Sequence, residues 1–436
     1  MKDIDVMIIN LFTEESMSID STGSKISTMP PLGQLYISSV LQSNGYEVMV
    51  LDLGVENMSN KQILEKIQQH SPKIVGFSSY YGSWSMLKEI TTLIKREFED
   101  IVITVGGNSA TFNYEEILNE MKVNYIILGE GEFSFLKLCD YVIRETIPLE
   151  HVEGIAYKQD NSIRKTEVKR ISNLDELPFP NRELIKLHRY RHPFTIATAR
   201  GCIGKCIFCS SQAFWKDKIT FRSIDNVILE LEHIKNKFDA KEFFIIDDTF
   251  TLNKARVLEF CDKLIKKDLS FYWFCESRVD VISEEVLIAM YEAGCRWIQF
   301  GMESGNDEIL AGIRKNISFS EIEEAIRLAT NIGFRINLSL IIGHHLDTKD
   351  TIKETLEKAK YLKRKYQVNV LAGINTPYPG TEVFEKRDEY GLKILTKNWD
   401  RYKMDNPVMD TKYLKANELK RLHFNFMKEL EHMDRS

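Results

Sequence analysis

Hydrophobic positions along the chain fall into two alternating series. In the first, "DVMIINL" at residues 5–11 reads as a strand, "LGQLYISSVLQSNG" as a helix closed by Gly45, and "YEVMVLDL" as a second strand. "SNKQILEKIQQH" is a helix capped by Ser59 or Asn60, "KIVGFSSY" a third strand and "MLKEITTLIKREF" a helix. "IVITVGGN" is a fourth strand, "EEILNEM" a helix and "VNYIILGEGE" a fifth strand. Strict alternation implies an α/β domain over 1–140: a Rossmann-like, doubly wound parallel sheet with helices on both faces.

The rhythm breaks over 141–190. "EGIAYKQDNSIRKTE" reads as a hairpin turning at Asp160–Asn161, and Pro178 and Pro180 in "LDELPFPNREL" mark a linker with a domain boundary near residue 185. A second series begins at "FTIATAR", with later strands "EFFIID", "FYWFCE", "RWIQFG", "RINLSLII" and "VNVLAGI". The helices between them are "SIDNVILELEHIKNKF", "SEEVLIAMYEAG", "SFSEIEEAIRLATNIG" and "DTIKETLEKAKYLKRK". Ser318 and Glu321 have capping-box spacing, and Gly294 and Gly333 sit at helix ends. Six strand–helix units over 191–385 predict a partial (β/α)6 barrel of the TIM type. The tail, 386–436, predicts a short helical extension whose last helix carries Leu419, Leu422, Phe426, Met427 and Leu430 on one side.

Composition narrows the function classes. A chain of 436 residues suits two or three domains, and a hydrophobic fraction of 43% supports packed cores. The net charge of −6 comes without a concentrated basic surface, which argues against a nucleic-acid partner. Lys363, Arg364 and Lys365 read as the solvated end of a helix. "MKDIDVMIINLF" and the longest apolar runs, such as "LSLIIG", are too short for a signal peptide or a membrane span. The expectation is a soluble, cytoplasmic protein with no membrane partner. Seven cysteines in a reducing compartment do not suggest structural disulfides.

Three of the seven cysteines are gathered in "ARGCIGKCIFCS", as Cys202, Cys206 and Cys209. Three thiolates with no histidine nearby make a poor zinc site. A 4Fe–4S cluster normally takes four thiolates, so three leave one iron open to an external ligand. The loop directly follows the first strand of the second series, on the face of a barrel where chemistry is done. Cys139, Cys261, Cys275 and Cys295 lie in helix or strand patterns and read as core. Asp247 and Asp248 end the second strand, where they either face the same mouth or cap a helix.

CxxxCxxC with Phe208 before its last cysteine resembles the radical S-adenosylmethionine superfamily. "IIDDTFTLN", "CESRVD", "IQFGMESG", "SLIIGHH" and "NTPYPGTEVFE" resemble further blocks of it. The resemblance implies that the open iron binds the amino and carboxylate groups of S-adenosylmethionine. Reduction by a one-electron donor, such as flavodoxin or ferredoxin, then gives a 5′-deoxyadenosyl radical. It also implies that Glu303, Arg278 and Ser277 approach that cofactor beside Phe208. One stretch departs from the family: His344-His345-Leu346-Asp347 stands where a Leu-Pro-Gly-Glu-like run is usual.

The front half resembles the cobalamin-binding domain of one branch of this superfamily. The matching stretches are "MPPLGQLYISSVLQSNGYEV", "VGFSSYYGS", "VITVGGNSAT" and "LGEGEFSFLKL". A doubly wound sheet binds ligands beyond its strand ends. There Gly106 and Gly107 allow close backbone approach, and Asn108 and Ser109 offer polar contacts. Glu130, Gly131 and Glu132 end the last strand. The resemblance adds Pro31, Leu32, Gly33, Ser79, Tyr80 and Tyr81 as cobalamin contacts, with Tyr80, Tyr81 and Trp84 alternatively as packing aromatics. No Asp-x-His-x-x-Gly motif is present, and His70 is the one histidine of residues 1–140, so cobalamin without a histidine ligand is expected.

Together these features imply a cobalamin-dependent radical methyltransferase acting on carbon or phosphorus of a small-molecule or peptide substrate. The alternative is an enzyme with the same cofactors that catalyses a cyclisation, ring contraction or rearrangement. A tRNA methylthiotransferase would need three front-domain cysteines, and residues 1–140 hold only Cys139. A non-catalytic carrier would leave the open iron without a use.

Overall fold

The computed structural model describes residues 3–13, 17–19 and 25–434. The chain divides into two compact units, Met1–Pro193 and Phe194–Ser436.

In the first unit, β1 (Val6–Asn10), β2 (Val48–Asp52), β3 (Ile74–Ser78), β4 (Val102–Gly106) and β5 (Tyr125–Ile127) form a parallel sheet. The apolar runs that announced them are buried: Val6, Met7, Ile8 and Ile9 of β1 are at most 3% exposed. Such two-sided burial is what a parallel sheet covered by helices requires. Ser59 caps the helix Asn60–His70 in a full capping box with Gln62.

The hairpin of the sequence reading is present as β6 (Ile155–Gln159) and β7 (Ser162–Lys165), with Asp160 and Asn161 at positive φ. It is not part of a free linker. β6 pairs antiparallel with β5, giving one sheet in the order β2-β1-β3-β4-β5-β6-β7. The stretch up to Tyr190 is stitched to the same unit. Ile171 N–H donates to Glu130, Asn181 N–H to Ser39 Oγ, and Tyr190 OH to Asp52 Oδ2 at 2.6 Å. The first unit therefore runs past residue 185 to Pro193.

The second unit holds six parallel strands that neighbour one another in chain order: β8 (Thr195–Ile196), β9 (Glu242–Ile245), β10 (Tyr272–Ser277), β11 (Cys295–Glu303), β12 (Arg335–Ile342) and β13 (Asn369–Ile374). This is the topology of an incomplete β/α barrel. One helix absent from the sequence reading, Lys254–Lys266, joins β9 to β10. Asn253 caps it, and Val257, Phe260, Cys261 and Leu264 are buried.

Residues alternate across these strands, except at the register shifts near the start of β11 and at Glu303. Phe243 and Ile245, Trp273 and Cys275, Ile298 and Phe300, and Leu338 and Leu340 pack into the core beneath the helices. The opposite parity, including Phe244, Phe274, Glu276, Trp297, Gln299 and Ser339, is only half-buried and forms the concave face.

The final helix, Ala416–Asp434, buries Leu419, Phe426 and Leu430, while Leu422 packs partly buried against the same core. His423 Nε2 stands 2.8 Å from Ala372 O of β13, so the helix covers an edge strand that would otherwise expose open backbone groups. Among the described residues no helix is long and apolar enough to cross a membrane.

Candidate active site

The cysteine loop leaves β8 through a short antiparallel pair, Ala199–Arg200 with Thr220–Phe221. Gly201 has φ +102, and a Cβ there would fall on Lys218 O across the pair, so only glycine starts the loop. The loop is held at its base by the residues that end β9. Asp247 accepts from Thr198 N–H at 2.6 Å, from Ala199 N–H at 3.1 Å and from the Thr198 hydroxyl. Asp248 accepts from Gly201 N–H at 3.2 Å, and Thr249 Oγ1 lies 3.7 Å from Cys202 Sγ. Three successive residues thus touch three successive stations of the loop. Arg256 donates to Thr198 O at 2.9 Å and to Arg222 O at 3.0 Å, and Arg222 reaches Ala197 O at 3.0 Å and ion-pairs with the buried Glu230.

Asp247 and Asp248 have opposite strand parity. Asp247 shares the parity of Phe243 and Ile245 and is 3% exposed, turned from the mouth. Burial pushes its carboxyl up to about 6, against the pull of the Thr198 hydrogen bonds. It is a positioning residue for the loop. Asp248 shares the parity of Phe244 and Ile246 and is exposed on the concave side.

The three thiols are free, with Cys206 buried and Cys202 and Cys209 half-buried. Arg278, just past β10, places Nη1 3.9 Å from Cys206 Sγ. The same guanidinium is fixed on Asp280 at 2.9 and 2.8 Å and on Lys315 O at 2.9 Å. Lys315 is buried, with Nζ 2.9 Å from Glu303 Oε1. Burial pulls the Lys315 ammonium down, but Glu303 and Cys206 outweigh it and hold it above the usual lysine range. Burial raises the Cys206 thiol, opposed by Lys315 and Arg278. Burial also lifts Cys209 to about 11, opposed by the backbone N–H groups of Gln212 and Ser211. Glu303 closes β11 at a register shift and has φ +64, a strained conformation for a residue with a side chain.

Ser277 is buried, bonded to Thr251 Oγ1 and donating to Arg278 O at 3.0 Å. Phe208 packs against the core, its ring 5.3 Å from that of His344. His344 is fully buried with both ring nitrogens unpartnered, and burial pushes its pKa down to about 3. Asp347 ties this loop by accepting from Gly343 N–H at 2.8 Å and His344 N–H at 2.9 Å. Its role is the folding of the turn.

Two site residues were not foreseen from the sequence. Lys315 lies in a loop with no motif, twelve positions after Glu303. Glu276 accepts from Gln299 at 3.3 Å on the concave face, and burial followed by Asp248 and Glu303 raises its carboxyl. Strand parity with Phe274 was the signal that could have found it.

These residues fit a 4Fe–4S cluster. Three soft thiols come from one loop, and two cations stand beside the negative charge such a cluster carries.

In the first unit, β1 pairs with β2 on one side and β3 on the other, so the crevice lies at the ends of β1 and β3. A cavity of about 130 Å³ opens there, lined among others by Asn10, Pro31, Asp52 and Tyr80. Tyr80 is 39% exposed with its hydroxyl 3.4 Å from Asn10 Oδ1. A Cβ on Gly107, which has φ +98, would stand a tight 3.2 Å from Ser78 Oγ and 3.3 Å from Ser79 O, and Ser79 bonds Ser109 at 2.6 Å. Gly33 and Asn108 are exposed, while Pro31 and Leu32 are buried. Gly106 ends β4. Tyr81 donates to Asn113 at 3.1 Å, and Trp84 is buried as a packing residue. Glu130 is buried and taken up by Ile171 N–H; Gly131 packs on Ile37, and Glu132 is buried in the first turn of the helix Glu132–Cys139. His70 ends the helix before β3 and so lies at the opposite strand ends from the crevice. Small residues at these strand ends suit a large planar cofactor approached without a histidine.

Family comparisons agree with this geometry. The Radical SAM superfamily model matches residues 196–359 and the B12 binding domain model residues 25–138. An uncharacterised methyltransferase from Pyrococcus horikoshii is 30% identical over 97% of this chain and 91% of its own. The chain belongs to the cobalamin-binding radical S-adenosylmethionine enzymes. An anaerobic magnesium-protoporphyrin IX monomethyl ester cyclase from Rubrivivax gelatinosus is 28% identical over 92% of this chain and 73% of its own. The solved structure of the radical S-adenosylmethionine methyltransferase TsrM from Kitasatospora setae, with cobalamin and a 4Fe–4S cluster bound, shares the fold. It has a TM-score of 0.73 at 16% identity, over 91% of this chain and 81% of that one. This radical S-adenosylmethionine enzyme uses a 4Fe–4S cluster, S-adenosylmethionine and cobalamin as its cofactors.

Proposed function

We propose that this chain is a cobalamin-dependent methyltransferase acting on an unactivated carbon, or on phosphorus, of a small-molecule or peptide-derived substrate in the cytoplasm. The observation that carries the reading is the match to the Pyrococcus horikoshii methyltransferase, which spans both units and therefore both cofactor domains. When bound, the cluster and S-adenosylmethionine supply a 5′-deoxyadenosyl radical and cobalamin supplies a methyl carrier. In this reading Cys202, Cys206 and Cys209 hold three irons and leave the fourth to the cofactor's amino and carboxylate groups. Arg278 and Lys315 balance the charge at the thiolates. Glu303 and Ser277 orient the cofactor beside Phe208, and Asp248 and Glu276 face it across the concave side. Residues 1–140 hold cobalamin through the β1–β3 crevice, with Tyr80, Gly106, Gly107 and Asn108 at its rim and Ser79 buried beneath it against Ser109. A flavodoxin or ferredoxin delivers the electron, and the net charge of −6 speaks against a nucleic-acid substrate.

A second reading keeps the cofactors and replaces methylation by a radical ring closure or rearrangement. The similarity to the Rubrivivax gelatinosus cyclase, over 92% of this chain, favours it. One experiment separates the two. Anaerobically reconstituted enzyme is given reductant, cobalamin and a candidate substrate, and both S-adenosylmethionine products are measured. Methylation yields 5′-deoxyadenosine and S-adenosylhomocysteine in roughly equal amounts, with one methyl mass added to the substrate. Substrate-dependent 5′-deoxyadenosine with neither of the others rejects methylation.

A further inference from the structure

The concave face of the second unit changes character from side to side. Its β9–β10 side ends in the carboxyls Asp248 and Glu276. Toward the strand ends its β12–β13 side presents Ser339, Ile341, Leu371 and Gly373, none of them charged. Leu371 on β13 is 55% exposed and stands in register with Ser339. Gly373 follows on the same face, one strand repeat of about 7 Å further toward the mouth, in register with Ile341.

The tail returns over this edge. Ile374 N–H donates to Met404 O at 2.6 Å, and the Thr376 hydroxyl donates to Lys403 O at 3.3 Å. A Cβ on Gly373 would stand 3.3 Å from Met404 Cβ, so the glycine leaves the space that Met404 enters. Behind it Trp399 and Tyr402 are buried ring to ring at 4.7 Å, and Tyr402 OH donates to Thr396 O at 3.0 Å. The segment is anchored, yet Met404 remains 58% exposed. A lone exposed apolar residue needs no explanation. Two on one face at a barrel mouth, one of them brought from outside the sheet by a backbone pairing, make a wall.

We propose that Leu371 and Met404 form the wall that receives the substrate, and that the substrate turns an uncharged hydrocarbon portion toward it. This rests on the reading above that chemistry occurs at the mouth of the second sheet. Ser339 and Ile341, in register with Leu371 and Gly373, carry no charge, so a charged group set against Leu371 would lose water without gaining a partner from the sheet, while Lys403 and Asp405 beside Met404 carry opposite charges. Methionine adapts to irregular apolar surfaces, which suits a contact that closes on a ligand.

The test is a fluorescence titration of the holoenzyme, loaded with cluster, S-adenosylmethionine and cobalamin, with neutral pyrenemethanol and with cationic pyrenemethylammonium. The neutral probe binds more tightly, and Leu371→Asp or Met404→Asp weakens it by about tenfold or more, the worth of one buried aliphatic contact. Thermal midpoint, cluster absorbance and S-adenosylmethionine affinity stay unchanged. If an Asp variant loses its cluster, Leu371→Ser and Met404→Ser carry the test in the same direction. Equal affinity for both probes, or undiminished binding in the double variant, overturns the wall. So does binding seen only when cobalamin is left out, which assigns the surface to the cofactor. None of these readouts needs methyl transfer. Probe binding retained in an enzyme that transfers no methyl group therefore defeats the proposed function and leaves the wall standing.

Discussion

Lys315 Nζ and Glu303 Oε1 form a buried ion pair at 2.9 Å, and the glutamate stands at φ +64. Removing one partner of a buried pair leaves an uncompensated charge and costs about 3–5 kcal/mol. Lys315→Met is therefore expected to lower thermal stability more than Glu303→Gln, which keeps a neutral hydrogen-bonding group. Glu303→Ala is expected to reduce both S-adenosylmethionine products. Calorimetry of the variants, read beside product yields, checks this. Equal stability of Lys315→Met and the parent would mean that the pair does not form.

The cysteine loop gives a sharper test. Gly201→Ala places a Cβ on Lys218 O and forces a non-glycine residue to φ +102, a backbone cost of at least about 1 kcal/mol before the collision is counted. Most of the iron should be lost on reconstitution. Gly33→Ala, where a Cβ meets nothing within 4 Å, is the control and should leave iron content and stability intact.

Reconstituted protein should hold about four irons at one site. Replacing Cys202, Cys206 and Cys209 together by Ala should abolish the cluster's visible absorbance. Cys295→Ala should keep it, because that thiol is buried in the core. Full iron content and activity in the triple variant would remove the basis of the site.

Much of this was legible in the sequence, for reasons that also explain what was not. All five parallel strands of the first sheet and all six of the second were legible from apolar-rich runs, near-continuous in the first sheet, where both faces are covered, and alternating in the second, where one face is the half-buried concave side. The hairpin at Asp160–Asn161 was legible from its turn, but its pairing with β5 was not, because register to a strand some thirty residues earlier leaves no local mark. The helix Lys254–Lys266 had a capping asparagine and a helical apolar period, and a stricter count of period would have found it. The cysteines and the strand-end Glu303 and Arg278 carried their own motifs. Lys315 did not: it reaches Glu303 through the fold of the intervening turn, which spacing does not encode. Asp247 and Asp248 look alike in sequence, yet parity with Ile245 or Ile246 decides which one anchors the loop and which faces the mouth.

Cobalamin should bind to the first unit without a protein histidine at cobalt. His70 lies at the strand ends away from the crevice, so His70→Ala should leave the visible and electron-spin spectra of the bound cofactor unchanged. Nitrogen hyperfine coupling from a protein imidazole would contradict the absence of a ligating histidine.

His344 should make the apoprotein acid-sensitive in a defined window. Burial depresses its folded pKa from 6.5 to about 3, with His345 adding to the same direction. The neutral ring is thus preferred in the folded state, while the unfolded chain takes up a proton as pH falls. A depressed folded pKa contributes stability that is present above the unfolded value and lost as pH falls toward the folded one. Between about pH 6.5 and about pH 4.5 this linkage removes about 2 kcal/mol. His344→Leu cannot bind that proton in either state, so its unfolding free energy should fall by about that much less across the same window. Denaturant titrations of parent and variant at the two pH values read the difference directly. Parallel losses in the two proteins would mean that His344 is solvated and free to protonate in the fold.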